Sequence, residues 1–241
     1  MIIISASVVS AENDSLKFKN NLEKFLEFEF NDTLKAVEFL SEATEIAEKN
    51  KNPAQLGIAY RYWGWYHQDH SRHFQAMDMF KKSMRYYFEM NDVQGMADSY
   101  GNIGNIYEDL GDNNTAIDYQ LKSLTLNEKI LYNEKNPDKY KKSIRGKAYA
   151  LGNISNMYTS TGDYEKALDY ALQSMELEQG TGNGHSLDAT YTNIGIIYRK
   201  MKKYDESLKY HLMSLKWRTD RNELNNLGSY YQNIATVFYD M

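Results

Sequence analysis

The sequence predicts an all-α chain, a solenoid of stacked antiparallel helix pairs, and three observations predict it. Small residues recur at Ala36, Ala76, Ala116, Ala167 and Ser207, in steps of 40, 40, 51 and 40. A second set, Gly64, Gly104, Ser155, Gly195 and Ala235, climbs by the same steps and shares the same insertion of 11. A turn separates the two sets, clearest at Gly162-Asp163, where Gly suits a helix C-terminus and Asp caps the next helix. Two registers with one common irregularity mark a repeat array, in which each hairpin buries its apolar face against its neighbours.

Met1 to Ala11 is a different material, apolar and β-branched. It reads either as a signal-peptide remnant, which would place the protein outside the cytoplasm, or as a frayed or strand-like start to a cytoplasmic chain. A single array is expected over 12–241. Its first repeat, 12–51, is degenerate: Leu22, Phe25, Leu26 and Phe28 form a stripe, but Lys24 stands where the ladder wants a small residue. Terminal repeats usually depart in this way. Thr33 to Lys49 fits a second helix.

Repeat two (52–92) is the aromatic one. Tyr60, Trp63 and Phe80 fall at core positions, while Tyr62 and Trp65 fall on the opposite face of the first helix, as binding anchors or shielded by the degenerate repeat. Repeat three covers 93–134. The insertion lies within Leu131 to Gly146 and predicts longer flanking helices. Its Lys139, Lys141, Lys142, Arg145 and Lys147 form a basic knob, a solvated face or a contact for an acidic partner. Asn52-Pro53 and Asn136-Pro137 each read as an N-cap followed by Pro at the first helical position. Repeats four (135–180) and five (181–222) are joined by Gly180-Thr181-Gly182-Asn183-Gly184, a connector rather than a phosphate loop, since no strand precedes it. The last stretch, 223–241, matches a first helix with Tyr231, Ile234, Ala235 and Phe238 in register. Its open apolar face implies either a fragment of a longer protein or a second subunit, as in a homodimer through this helix.

Composition narrows the functions. A net charge of −5 and a pI near 5.6 give no pull toward nucleic acid. Zero cysteines remove disulfides, thiolate metal sites and cysteine nucleophiles. No apolar run of 18 residues exists to cross a membrane. His67, His70 and His73 straddle a predicted turn, a poor arrangement for zinc. No catalytic constellation, cofactor site or metal site can be argued, so the expectation is a non-enzymatic protein.

The repeats resemble the tetratricopeptide repeat (TPR) family at Tyr100-Ile103-Gly104-Tyr107 with Ala116 and Ser123, and at Tyr191-Ile194-Gly195-Tyr198 with Ser207 and Ser214. Tyr60-Trp63-Gly64 with Ala76, Phe80 and Ser83 fits as well. Departures are His67 for Tyr, and Gln120, Ala171 and His211 for the second-helix aromatic. The 40-residue spacing is most similar to the longer-repeat branch, which includes kinesin light chains and bacterial TPR regulators and sensors. The resemblance implies a right-handed superhelix whose first helices line a concave groove.

One recurrence suggests what such a groove would hold. Asn102, Asn153, Asn193 and Asn233 each precede the residue next to the small one of a first helix, and Asn105 and Asn156 follow about a turn later. Asn is a mediocre helix former, so its return at one interior site wants a reason. A carboxamide offers an acceptor and two donors, and TPR proteins that thread extended peptides use similar asparagines to grip the ligand backbone. The alternative is that these side chains bond a neighbouring helix. By the same register, Tyr62, Trp65, Glu108, Asp109, Arg199 and Lys200 join the peptide-binding candidates, with acid in repeat three and base in repeat five. Three functions follow: a binding module for a peptide or protein segment, a sensory or dimerising region of a bacterial histidine kinase or transcriptional regulator, or a spacer without ligand.

Overall fold

The computed structural model describes residues 6–133, 135–180, 187–223, 225 and 227–241, with side chains from residue 12 onward. Every regular element among them is an α-helix, and the helices form two compact units, Met1–Leu110 and Gly111–Met241. The Gly180–Gly184 connector lies outside the described residues except for Gly180, which ends a helix.

In the first unit, α1 (Ala6–Phe28) pairs with α2 (Thr33–Lys49), α3 (Pro53–Asp69) pairs with α4 (His73–Glu89), and α5 (Val93–Asp109) packs on α4. The strand-like reading of the N-terminus is corrected here: from Ala6 the backbone is already helical and continues into α1. The apolar stripe also shifts. Phe18, Leu22 and Phe25 are buried, whereas Leu26 is half exposed. Lys24 is tolerated at the ladder position because it is exposed there, with its ammonium over the Phe39 ring, 4.8 Å from the centroid.

Caps set the helix starts. Asn52 Oδ1 accepts from the Ala54 and Gln55 amides ahead of Pro53, and Asp92 accepts from Gly95 N. Most turns are not marked by glycine. Lys51, Ser71, Asn91, Lys202 and Asn222 take the left-handed conformation themselves, at φ between 48° and 60°. Among the described residues only Gly111 and Gly162 serve that role as glycines.

The ladders of small residues are steric in origin. Ala36 and Ala76 are fully buried, and a Cβ on Gly64 would overlap the Phe80 ring. Tyr60 and Trp63, expected in the core, are only half-buried and pack against its edge. Trp63 instead donates its indole N–H to Thr44 Oγ1 at 3.0 Å, which needs a side chain near the surface of the pair.

In the second unit α6 (Asn113–Asn133) packs on α7 (Pro137–Thr161), which pairs with α8 (Tyr164–Gly180); α9 (Leu187–Lys200) pairs with α10 (Tyr204–Asp220), and α11 (Leu227–Asp240) follows. The insertion is divided between two helices. Measured from their small residues, α6 runs 4 residues further than α4, and α7 starts 7 residues earlier than α3. Asn127 is buried at the contact, where a Cβ on Gly146 would come within 2.5 Å of its Oδ1. α11 buries Val237 but exposes Tyr231, Phe238 and Tyr239, as the open register implied.

A serine clip recurs at one register position. Ser83 Oγ donates to Gly57 O, Ser174 Oγ to Ala148 O and Ser214 Oγ to Asp188 O, at 2.6–2.9 Å and always 26 residues back. A hydroxyl this small can reach the opposing backbone only where helices touch. Each bond contributes about 1 kcal/mol net and fixes the axial slide of one helix on the other.

Candidate functional site

Within each unit, consecutive first helices are tied by polar side chains on the face where they meet. In the first unit Arg61 Nη1 donates to Asp98 Oδ2 at 3.3 Å, Trp65 Nε1 to Asn102 Oδ1 at 3.3 Å, and Gln68 Nε2 to Asp109 Oδ2 at 2.8 Å. In the second, Asn193 Nδ2 donates to Asn156 Oδ1 at 2.9 Å and Arg199 Nη1 to Asp240 Oδ2 at 2.7 Å. Separations of 37 and 41 residues recur in both units, so these are one set of register positions filled with different chemistry.

The predicted residues are distributed accordingly. Asn102, Asn105, Asn153, Asn156, Asn193 and Asn233 are all partly buried on first helices. The Asn102 oxygen is taken by Trp65, but its Nδ2 has no partner among the described residues, although the atom is buried. Trp65 and Tyr62 meet edge to face at 5.1 Å, and Tyr62 meets Phe25 of α1 at 5.7 Å, so the degenerate repeat does cover Tyr62. The Arg61 guanidinium also lies over the Trp65 ring, 5.1 Å from its centroid. The candidates therefore form one cluster in the first unit around Trp65, and another in the second around Asn156 and Asn193.

The charged candidates are unequal. Burial, with Asp109 adjacent, raises the Glu108 carboxyl above the usual carboxylate range. Asp109 is bonded to Gln68 and lies 3.8 Å from His73 Nδ1. Arg199 is paired with Asp240, so its charge is compensated within the unit, whereas Lys200 is exposed. His67 stacks on Trp63 at 5.8 Å, and burial, with Arg72 and His70 nearby, lowers its pKa. Among the described residues no group of three acids, histidines or cysteines is placed to hold a metal, and no helix is long and apolar enough to cross a membrane.

Sequence reasoning overlooked Asp188. It is buried, accepts from Tyr230 Oη at 2.6 Å and from Arg218 Nη1 at 3.2 Å, and lends its backbone carbonyl to Ser214. Nothing marks it locally, because its partners lie 26 to 42 residues ahead on two other helices.

An array of helix hairpins with polar first-helix faces defines a scaffold suited to protein–protein interaction. Family models described as tetratricopeptide repeat match residues 97–130 and 146–220, so the chain carries TPR repeats there. Solved structures with this fold include aspartyl phosphate phosphatase F from Bacillus subtilis (TM-score 0.76, 16% identity, covering 95% of this chain and 57% of that one). Another is a signal transduction ATPase with numerous domains and a tetratricopeptide repeat sensor from Pyrococcus horikoshii (TM-score 0.73, 15% identity, 95% and 33%). A putative kinesin light chain from Podosopora anserina is similar too (TM-score 0.63, 12% identity, 86% and 97%). The chain thus spans about half of the phosphatase and a third of the ATPase. At these identities the likeness is one of fold. A comparison with curated proteins found no match.

Proposed function

We propose that the chain is a binding module whose units hold an extended peptide or protein segment along the faces where first helices meet. The observation that carries the reading is the Asn156–Asn193 pair. That bond uses the Asn156 oxygen and one Asn193 proton. It leaves the Asn156 donors and the Asn193 acceptor, the complement of one peptide N–H and C=O. Asn102 matches it in the first unit, with its oxygen engaged and its Nδ2 unpartnered among the described residues. Backbone contacts of this kind are independent of ligand sequence, at about 0.5–1.5 kcal/mol each. Trp65 offers an apolar anchor, and Glu108 and Lys200 offer opposite charges for selecting side chains.

The test is a peptide-library screen of the native protein against Asn102→Ala and Asn153→Ala/Asn193→Ala, with helicity monitored. Loss of selected peptides at unchanged helicity supports the grip. Unchanged binding, or no peptide selected at all, returns the asparagines to a purely structural role and the chain to a spacer.

A second reading places this module as the sensory or dimerising region of a larger bacterial signalling protein. Likeness of fold to a signal transduction ATPase with a TPR sensor supports it. The exposed Tyr231 and Phe238 of α11 would then meet a second copy. Sedimentation of native protein and Phe238→Glu checks this; a native monomer removes the homodimer.

A further inference from the structure

The extended α6–α7 hairpin carries charge in an unexpected place. From Lys129 to Lys147 there are seven Lys and Arg against two acids, in a chain whose net charge is −5. Lys139 sits in the first turn of α7, followed by Lys141, Lys142 and Arg145. Helix N-termini favour acids, because the backbone N–H groups and the helix dipole present positive charge there. Of the other helices in this unit, α8, α9 and α10 open with Glu165, Asp188, and Asp205 with Glu206, and α6 opens without an acid. α7 likewise opens with Asp138, beside Lys139, and its further cations Lys141, Lys142 and Arg145 follow in the next turns. The excess of cations is therefore a property of the hairpin's length rather than of its helix end.

The cations are also held out on a firm support. The added residues extend α6 and α7 by about 6 and 10 Å at 1.5 Å per residue. Their packing is close: Ser143 and Asn127 are buried, and Gly146 lets the helices meet against Asn127. Asn136 Oδ1 caps the start of α7, accepting from Asp138 N and Lys139 N. Lys147 is paired with Glu128 at the base, 2.9 Å. Lys141 and Arg145, four apart and so on one side of α7, are exposed and have no acidic partner among the described residues. Tyr132 is 90% exposed and Tyr140 43%.

We propose that this projecting tip is a docking surface for an acidic protein segment, a partner distinct from any peptide held by the asparagine faces. Carboxylates two apart on an extended chain are spaced about 6.6 Å, close to the rise between Lys141 and Arg145 on a helix. The exposed tyrosines are the aromatic type enriched in protein interfaces. A bilayer surface would call for Trp, Phe or Leu to insert, and the exposed large side chains of the tip are tyrosines.

The experiment measures fluorescence anisotropy of a fluorescein-labelled poly-Glu peptide with native protein, with Lys141→Glu/Arg145→Glu, and with the charge-matched Lys209→Glu/Lys216→Glu on α10. Expected is binding that the tip variant weakens by about tenfold or more and the α10 variant by under about twofold. Equal loss in both variants reduces the effect to net charge and overturns the proposal, as does binding untouched by the tip variant. Phosphatidylserine vesicles and duplex DNA are run in parallel. If either binds through the tip while the peptide does not, the partner class is wrong. Asn153→Ala/Asn193→Ala should leave tip binding unchanged, which separates failure here from failure of the peptide-gripping faces.

Discussion

Trp65 donates to the Asn102 oxygen in the first unit, and Asn156 and Asn193 bond at the same register in the second, 91 residues further along the chain. The asparagine two residues before the small one is constant, Asn102 and Asn193, while its partner changes from indole to carboxamide and the donor role passes from Trp65 to Asn193. The site therefore has a structural duty, tying one repeat to the next, besides any ligand it meets. This sets the size of the mutational effects.

Asn193→Ala removes one part-buried bond and leaves the Asn156 oxygen to water. The expected cost is about 0.5–1.5 kcal/mol, read as a lower urea midpoint at unchanged slope. Trp65→Phe should cost more, because it leaves the Asn102 oxygen without its partner on a side chain whose buried Nδ2 has none among the described residues either.

Gly195→Ala should destabilise more than either. Its Cβ would stand 2.7 Å from His211 Cε1 in a fully packed contact, and overpacking of this type costs about 1–3 kcal/mol. Pairing it with His211→Ala should recover part of the loss, by freeing the space the methyl needs. A double-mutant cycle on thermal unfolding checks the coupling, and additive effects would contradict the contact.

Stability should fall on mild acidification because of His211. Burial, with Arg199 nearby, lowers its pKa to about 4, against an ordinary value of 6.5. The unfolded chain therefore takes up a proton that the folded one refuses. This contribution is fully present above about pH 6.5 and lost progressively down to about pH 4, up to roughly 3 kcal/mol. Urea midpoints between pH 7.5 and 4.5 should show a steeper decline for native protein than for His211→Gln.

Tyr230→Phe should loosen α11 from α9. The phenol donates to buried Asp188 at 2.6 Å, and burial together with that bond pushes its pKa up to about 12. The loss is expected at about 1–2 kcal/mol. Hydrogen exchange should report it first in 227–240, with α7 and α8 unaffected.

The sequence by itself determined the helical class, the hairpin register and the place of the insertion. Those are consequences of which positions must be small and which must be large, and Ala76, Gly64 and Ser155 state them locally. It also placed the asparagines on first helices, because a period of 40 carries each to the same face. Only the tertiary structure decided what those side chains do. Glycine-free turns at Ser71 and Lys202, the covering of Tyr62 by Phe25, the compensation of Arg199 by Asp240 and the burial of Asp188 all depend on partners from other helices. Periodicity records which face a residue occupies, whereas a hydrogen bond across 37 or 42 residues is fixed only when the helices have packed.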